Sequence, residues 1–242
     1  MDLGLSGRRA LVTAASRGLG RACAEALVRE GAAVFIASRD GDAIRQSAEA
    51  IGAAGHRTAD VADGEQAEAL VAEAAQRLGG LDILVVNAGG PPPGTFESTE
   101  LPAWEKAYHL TLMSAVRLTR AALDHLKASG QGRVVNITST SVREPIANLL
   151  LSNAMRAAVT GMAKTLSTEV ARLGITVNNI APGRITTART RELGVTADGV
   201  PMGRMGEAEE LGALCAFLCS KQAGYITGQT IAVDGGLLKG VY

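Results

Sequence analysis

Apolar and polar positions follow two patterns along the chain, and the two patterns alternate from start to end. Nearly continuous apolar runs of strand length are typical of strands buried on both faces. They occur at residues 8–14, 32–38, 81–90, 132–140, 174–183 and 229–236. Between them lie longer stretches with helix-like patterning, which predict helices. These stretches cover residues 18–31, 41–55, 65–79, 101–128, 148–173 and 207–219.

Strands that alternate with helices predict an α/β fold. A helical crossover returns the chain in the same direction, so the strands form a parallel sheet with helices on both faces. We therefore predict a doubly wound, Rossmann-type parallel sheet of about seven strands, within one domain over residues 1–242. Two long loops, at 89–95 and 184–203, follow strand ends on the side where such sheets bind ligands.

Composition narrows the classes of partner. The chain has 24 Lys and Arg residues and 24 Asp and Glu residues, so nothing favours a nucleic acid or an anionic membrane as partner. An odd number of cysteines without framework spacing, Cys23, Cys215 and Cys219, favours core packing in a reducing, cytoplasmic setting. We expect no membrane span and no metal site, because no apolar run is long enough and no ligand spacing occurs.

A glycine-containing turn, "TAASRGLG" at residues 13–20, joins the first predicted strand to the first predicted helix. Glycines at this position let backbone N–H groups approach a pyrophosphate at the helix N-terminus. The alternative is a tight packing turn without a ligand. Ala14 stands near the start of the turn, and a left-handed backbone there costs an alanine about 1 kcal/mol.

The end of the second strand bears on which dinucleotide binds. An acidic residue at this tip accepts the ribose 2′-hydroxyl of NAD, but here the tip is Ser38, followed by Arg39. With Arg17, this places two guanidinium groups where a 2′-phosphate would lie, which favours NADP(H). The alternative is that both arginines are solvated surface charges. Asp40 is expected to begin the next helix.

Motifs in this order resemble the short-chain dehydrogenase/reductase family across nearly the whole chain, nearest its 3-oxoacyl-(acyl carrier protein) reductase branch. The turn "TAASRGLG" is similar to the family's cofactor turn, and "VNAGG" and "GRVVNITS" are similar to its fourth and fifth strands. The other motifs are "DV" at 60–61, "NNIAPGRITT" at 178–187 and "YITGQTIAVDGG" at 225–236.

The resemblance implies hydride transfer between a nicotinamide and a carbonyl or alcohol carbon. In the family, a Tyr-x-x-x-Lys pair, a serine and an asparagine perform the proton chemistry. Here only Ser139 matches its counterpart. Alignment of "RAAVTG" places Ser152 at the tyrosine position and Arg156 at the lysine position, and alignment of Trp104 places Thr111 at the asparagine position. These four residues, Ser139, Ser152, Arg156 and Thr111, are the catalytic candidates.

The resemblance also implies a cofactor site and partners. The partner is a small carbonyl or alcohol substrate, and the helices at 101–128 and 148–173 resemble those that build a homotetramer or homodimer. The residues expected to bind NADP(H) are Thr13, Ser16, Arg17, Gly18, Leu19, Gly20, Ser38, Arg39, Asp60, Val61, Asn87, Ala88, Gly89, Arg156, Pro182, Gly183, Ile185 and Thr187.

Ser152 and Arg156 are four residues apart and share a helix face. Arg156 can bind a ribose diol and place positive charge near the reacting centre, although arginine and lysine are not interchangeable. Ser152 is a poor acid, so it either passes a proton along a water chain or holds the substrate oxygen beside Ser139. Tyr108, three residues before Thr111, is a possible substitute donor, but core packing is the preferred interpretation.

Two functional hypotheses follow. The first is an NADP(H)-dependent oxidoreductase with an altered proton-transfer site. The second is a nucleotide-binding protein of the same fold that has lost the chemistry and acts as a sensor or structural partner. Turnover separates them, because both bind the cofactor.

Overall fold

A parallel sheet of seven strands forms the centre of the computed structural model, which describes residues 2–240. Positions 1, 241 and 242, included in the predicted domain, lie outside the described residues. The strands are β1 (Arg9–Thr13), β2 (Ala33–Ser38), β3 (Gly55–Thr58), β4 (Ile83–Val86), β5 (Arg133–Ile137), β6 (Thr176–Pro182) and β7 (Thr230–Val233). Their order, β3-β2-β1-β4-β5-β6-β7, with every pair parallel, confirms the predicted fold class.

Helices cover both faces of the sheet and separate two apolar cores. On one face α1, α2 and α8 pack with Cys23, Cys215 and Cys219 inside the core, and on the other face α3, α5 and α6 pack. The helices are α1 (Gly18–Arg29), α2 (Gly41–Ile51), α3 (Gly64–Leu78), α4 (Leu101–Ala107), α5 (Ser114–Ser129), α6 (Leu150–Val170), α7 (Ala188–Glu192) and α8 (Ala208–Cys219).

The third strand is the element that the hydrophobic pattern did not locate. The helix predicted to reach residue 55 ends at Ile51, because Gly52 adopts a left-handed conformation with φ 70°. The chain then enters β3, whose residues alternate between partly buried and exposed. A short strand at the sheet edge buries little apolar surface and carries no continuous apolar run.

Two further boundaries differ from the predictions. The helix predicted over 101–128 is interrupted by a π-helical segment, Tyr108–Met113, between α4 and α5. π-Helical turns are rare and occur often at functional sites. The loop predicted over 184–203 contains α7, which begins with a capping box between Thr187 and Thr190.

The strand order reverses between β1 and β4, which are neighbours in the sheet although two other strands separate them in sequence. The Thr13 hydroxyl closes this point: it donates to the Asn87 carbonyl oxygen at 2.7 Å and accepts from the Asn87 backbone N–H at 3.0 Å. Doubly wound sheets bind ligands in the crevice at such a switch point. The candidate site therefore lies at the carboxyl ends of β1, β4, β5 and β6.

Candidate active site

The turn after β1 forms a cradle into which a side chain would not fit. A Cβ on Gly20 would lie 2.4 Å from the Ala14 carbonyl oxygen and 2.7 Å from the Asn87 amide nitrogen. Gly18 has a φ of 59°. Ala14 has a φ of 48°, the left-handed conformation that was considered for this position from the sequence. Ser16 and Leu19 complete the turn, both partly buried. Close backbone approach at a helix start fits a pyrophosphate.

The opposite wall comes from the segment after β6. A Cβ on Gly18 would lie 3.6 Å from Thr187 Cγ2, so Thr187 faces the glycine turn. Ile185 is buried, and a Cβ on Gly183 would lie 2.7 Å from Asp234 Cβ. Pro182, predicted in the turn, is instead the last residue of β6, because Gly183 still pairs with β7 through the Val233 carbonyl. The structure thus brings both predicted walls together.

At the far end of the crevice, two arginines are exposed without a partner. Within residues 2–240 neither Arg17 nor Arg39 makes a side-chain hydrogen bond or an ion pair. An added Cβ on Gly89 would lie 3.9 Å from the Arg39 Nη2, which places that guanidinium beside the loop after β4. Ser38 is buried, and Asp40 caps α2 by accepting from Ala43 N–H, as predicted. Free guanidinium groups at this place fit a 2′-phosphate.

The predicted adenine step lies after β3. Val61 is buried in the second core, and Asp60 Oδ1 accepts from the Ala62 backbone N–H at 3.0 Å. This local bond holds the loop in a turn and leaves Asp60 partly exposed at the sheet edge. The pair therefore lies on the same edge as the arginines, where we predicted a contact with the adenine.

The catalytic candidates Ser139, Ser152 and Arg156 lie around the carboxyl end of β5. Arg156 Nε donates to Ser152 Oγ at 3.2 Å, and Arg156 Nη1 donates to the Ile137 carbonyl at 2.8 Å. Ser139 begins the short turn after β5 and accepts from the Ser141 backbone N–H at 3.1 Å. Both serine hydroxyls thus accept one bond within the protein and keep their own proton free to donate.

Arg156 is the charged group of this cluster. Burial, and then the nearby positive charge of Arg189, lower the pKa of Arg156 to about 10 from its usual value near 12.5. The guanidinium therefore stays protonated at neutral pH. Within the described residues it forms no ion pair, so its charge is available to a bound molecule.

Behind Arg156 lies a cavity of about 10 Å³ with polar groups in its wall. Thr111 and Asn136 line it, and the Thr111 Oγ1 and Asn136 Oδ1 atoms are buried without a hydrogen-bond partner in the described structure. Val86, Ala88 and Val159 supply apolar wall. The volume is about that needed by one water molecule, and such a water needs two to four polar partners.

The structure corrects one interpretation and adds one residue. Tyr108 was expected to pack in the core, but it is 40 % exposed and contacts the His109 ring edge-on. The π-helical turn changes the helix phase, so the three-residue spacing to Thr111 no longer predicts a shared face. Asn136 was not singled out, because a polar residue inside the β5 pattern carries no sign of which groups will surround it.

Comparisons with known proteins agree with this geometry. The family model described as enoyl-(acyl carrier protein) reductase matches residues 13–238. The chain is similar to the 3-oxoacyl-[acyl-carrier-protein] reductase FabG of Vibrio cholerae serotype O1, at 36 % identity over 97 % of this chain and 99 % of that protein.

Solved structures share this fold, and one of the two described here holds NADPH. L-Sorbose reductase from Gluconobacter frateurii, complexed with NADPH and L-sorbose, superposes with a TM-score of 0.95 at 33 % identity, covering 100 % of both chains. YwfH, an NADPH-dependent reductase involved in bacilysin biosynthesis, gives a TM-score of 0.93 at 32 % identity, covering 97 % of this chain and 99 % of that one.

The chain belongs to the short-chain dehydrogenase/reductase family of oxidoreductases. Among residues 2–240, no helix combines the length and apolar character needed to cross a bilayer. Over the same range, no group of three or more His, Cys, Asp or Glu side chains is placed to hold a metal ion.

Proposed function

We propose that this chain is a single-domain, NADP(H)-dependent oxidoreductase that interconverts a small carbonyl compound and its alcohol, with an atypical proton-transfer site. The observation that carries the proposal is that Arg156 bonds both to Ser152 and to the Ile137 carbonyl, two residues before Ser139, at the end of the crevice that begins at the glycine turn. Bound NADPH supplies the hydride for the carbonyl carbon. The residues of the chain bind the cofactor, orient the substrate and stabilise the substrate oxygen.

Cofactor binding is divided among three groups of residues. The turn from Thr13 to Gly20 and the facing Thr187 hold the pyrophosphate. Arg17 and Arg39 hold the 2′-phosphate, while Asp60 and Val61 face the adenine. The remaining contacts, toward the nicotinamide and its ribose, are assigned to Asn87, Ala88, Gly89, Arg156, Pro182, Gly183 and Ile185.

The substrate oxygen is held by donors rather than by a strong acid. Ser139 and Ser152 each donate one O–H, and Arg156 places a positive charge beside them. Donors fixed before the reaction stabilise the charge that develops on the oxygen as the hydride arrives. Because Arg156 Nε already occupies a lone pair of Ser152, the serine O–H is directed to other acceptors.

The proton that the oxygen gains needs a route from solvent. The cavity behind Arg156 supports one, because Thr111 Oγ1 and Asn136 Oδ1 offer unused hydrogen-bond positions to a water molecule. In this arrangement Ser152 gives its proton to the substrate oxygen and regains one through water. Thr111 then takes part in positioning that water.

Two expectations remain predictions about the setting of the protein. We propose a homotetramer or homodimer assembled through α4–α5 and α6, supported by the exposed small residues Ala157, Ala158 and Gly161 on α6. We also propose a cytoplasmic location, supported by three cysteines that are all free and buried.

A second candidate is a cofactor-binding sensor without turnover. Serine in place of the family's tyrosine favours it, because no phenol stands at that position of the helix. The two candidates share the cofactor site and differ only in chemistry.

The test has a binding step and a turnover step. NADPH binding is measured by fluorescence for the wild type and for Arg39→Gln, which should weaken NADPH about tenfold and leave NADH unchanged. NADPH consumption is then followed with ketones, diketones, quinones and 3-oxoacyl thioesters. Consumption of NADPH with stoichiometric alcohol supports the enzyme. Tight binding without any turnover supports the sensor, and absence of NADPH binding contradicts both.

A further inference from the structure

Arg189 spans the mouth of the crevice and has no role in the cofactor site described above. Its Nη2 donates to the Pro91 carbonyl at 3.0 Å, and its Nε would lie 3.1 Å from a Cβ placed on Gly90. The side chain therefore reaches from α7, after β6, to the loop after β4. Only one of its donors is occupied there, and an arginine has five N–H donors.

The loop that Arg189 contacts is paired in space with the residues that begin α6. Gly94 on this loop pairs with Leu149 in an isolated parallel bridge, and Leu150 N–H donates to the Gly94 carbonyl at 3.3 Å. Leu149 precedes α6, whose first turn carries Ser152. Arg189 thus lies against the loop that pairs with the start of α6, whereas Thr187 faces the glycine turn.

Two positive charges occupy this place without an acid to balance them. Arg189 bonds to Pro91 on the loop after β4, and the same loop pairs through Gly94 with Leu149, just before the helix that carries Arg156. In keeping with this placement, the charge of Arg189 helps lower the pKa of Arg156. In the described part of the chain, neither forms an ion pair. Carboxylates on loops at the same sheet edge are committed to backbone amides: Glu144 to Lys239 and Gly240, and Asp234 to Gly236 and Leu238.

We propose that the substrate is an oxo acid and that Arg189, with Arg156, binds its carboxylate beside the carbonyl that reacts. The inference rests on the proposed function and specifies its substrate class. A carboxylate between two guanidinium groups relieves their mutual repulsion and accepts paired hydrogen bonds from the planar fork. Arg189 acts as a specificity-determining residue, since a neutral carbonyl compound leaves the two charges uncompensated.

The diphosphate of the cofactor is a second anion to which Arg189 can donate hydrogen bonds. Binding experiments separate the two anions without requiring turnover. Calorimetry measures oxamate, a small carboxylate that resembles a 2-oxo acid, and its neutral ester ethyl oxamate, each titrated into the protein saturated with NADP⁺. NADPH affinity is measured separately. The variants are Arg189→Gln and, as matched control, Arg191→Gln, an exposed arginine on another face of α7.

The expected result is that wild type binds oxamate at least about tenfold more tightly than ethyl oxamate. Arg189→Gln should lose about tenfold in oxamate affinity and keep NADPH affinity within about twofold, and Arg191→Gln should match the wild type. In turnover, 2-oxo or 3-oxo acids should be reduced in preference to their methyl esters, and Arg189→Gln should remove that preference.

Three outcomes overturn the inference: no binding of oxamate, equal binding of acid and ester, or a loss of NADPH affinity in Arg189→Gln. The last result would assign the arginine to the cofactor diphosphate. Failure of the proposed function gives a different pattern, in which NADPH does not bind or no compound is reduced. Oxamate titrated into the protein without cofactor then tests the arginine pair by itself, and absence of binding there rejects it.

Discussion

Arg156 Nε donates a hydrogen bond to Ser152 Oγ at 3.2 Å, while Nη1 of the same guanidinium donates to the Ile137 carbonyl at 2.8 Å. The arginine is thereby fixed between α6 and the end of β5. A guanidinium does not give up its proton near neutral pH, so it contributes charge rather than acid catalysis. In the mechanism proposed above, the site stabilises an oxygen anion, and the proton reaches that oxygen through hydroxyl groups and water.

Replacing Ser139 with alanine should lower kcat by about 10²-fold, because a donor to the developing oxygen charge is lost. NADPH affinity should stay within about twofold of wild type, since Ser139 lies at the reacting end of the crevice. Steady-state kinetics and cofactor titration measure the two quantities.

Ser141→Ala is the matched control, since Ser141 Oγ is buried without a partner two residues away. This variant should keep wild-type kcat. Equal rates for Ser139→Ala and wild type would remove Ser139 from the mechanism.

Replacing Thr111 with valine should lower kcat by about tenfold and enlarge the solvent deuterium isotope effect. Valine has nearly the same shape but no hydroxyl, so the cavity loses one of the two unpartnered oxygens that can hold water.

Thr119→Val is a suitable comparison, since Thr119 Oγ1 is also buried and unpartnered but does not line the cavity. An unchanged isotope effect in Thr111→Val, with wild-type kcat, would contradict a water held by Thr111.

Replacing Ala14 with glycine should stabilise the protein by up to about 1 kcal/mol. Ala14 has a φ of 48°, where its Cβ is strained, and glycine removes that strain at some cost in unfolded-state entropy. Asn148→Gly is the control, because asparagine tolerates its φ of 60° far better. Urea unfolding monitored by circular dichroism gives both values. A destabilised Ala14→Gly variant would show that the left-handed turn is not strained.

Replacing Asp82 with asparagine should destabilise the protein by about 2 kcal/mol at pH 7. Burial raises the pKa of Asp82, but hydrogen bonds from the Arg9 side chain and backbone outweigh burial and lower it to about 2. A lowered pKa adds stability above the ordinary value near 3.8, and that stability is lost as the pH falls from about 4 to about 2.

The difference in unfolding free energy between wild type and Asp82→Asn should therefore be full at pH 7 and shrink below pH 4. Asp124→Asn serves as control, because Asp124 is an exposed partner of Lys127 and should have no measurable effect. A difference that stays constant between pH 7 and pH 2.5 would rule out the Arg9 pairing as its source.

The chain sequence predicted most of the fold, and particular elements show why. Both faces of five strands are covered, so their residues are mostly apolar and the sequence alone indicates their burial. These strands are β1, β2, β4, β5 and β6. β3 lies at the edge and lacks that signature. The hydrophobic pattern also did not predict the π-helical turn at Tyr108–Met113. Such a turn adds one residue to the helix without changing which residues are apolar.

By itself, the sequence determined the alternation of strands and helices, the glycine turn after β1, and the placing of Ser152 and Arg156 on one helix face. These features depend on neighbours within a few residues, so local spacing is enough to define them. Only the tertiary structure decided that Thr111 and Asn136 share a cavity behind Arg156, and that Arg189 on α7 reaches Pro91, which is 98 residues away in sequence. Such contacts join separate elements, and their formation depends on how helices and loops pack on the sheet, which no local pattern records.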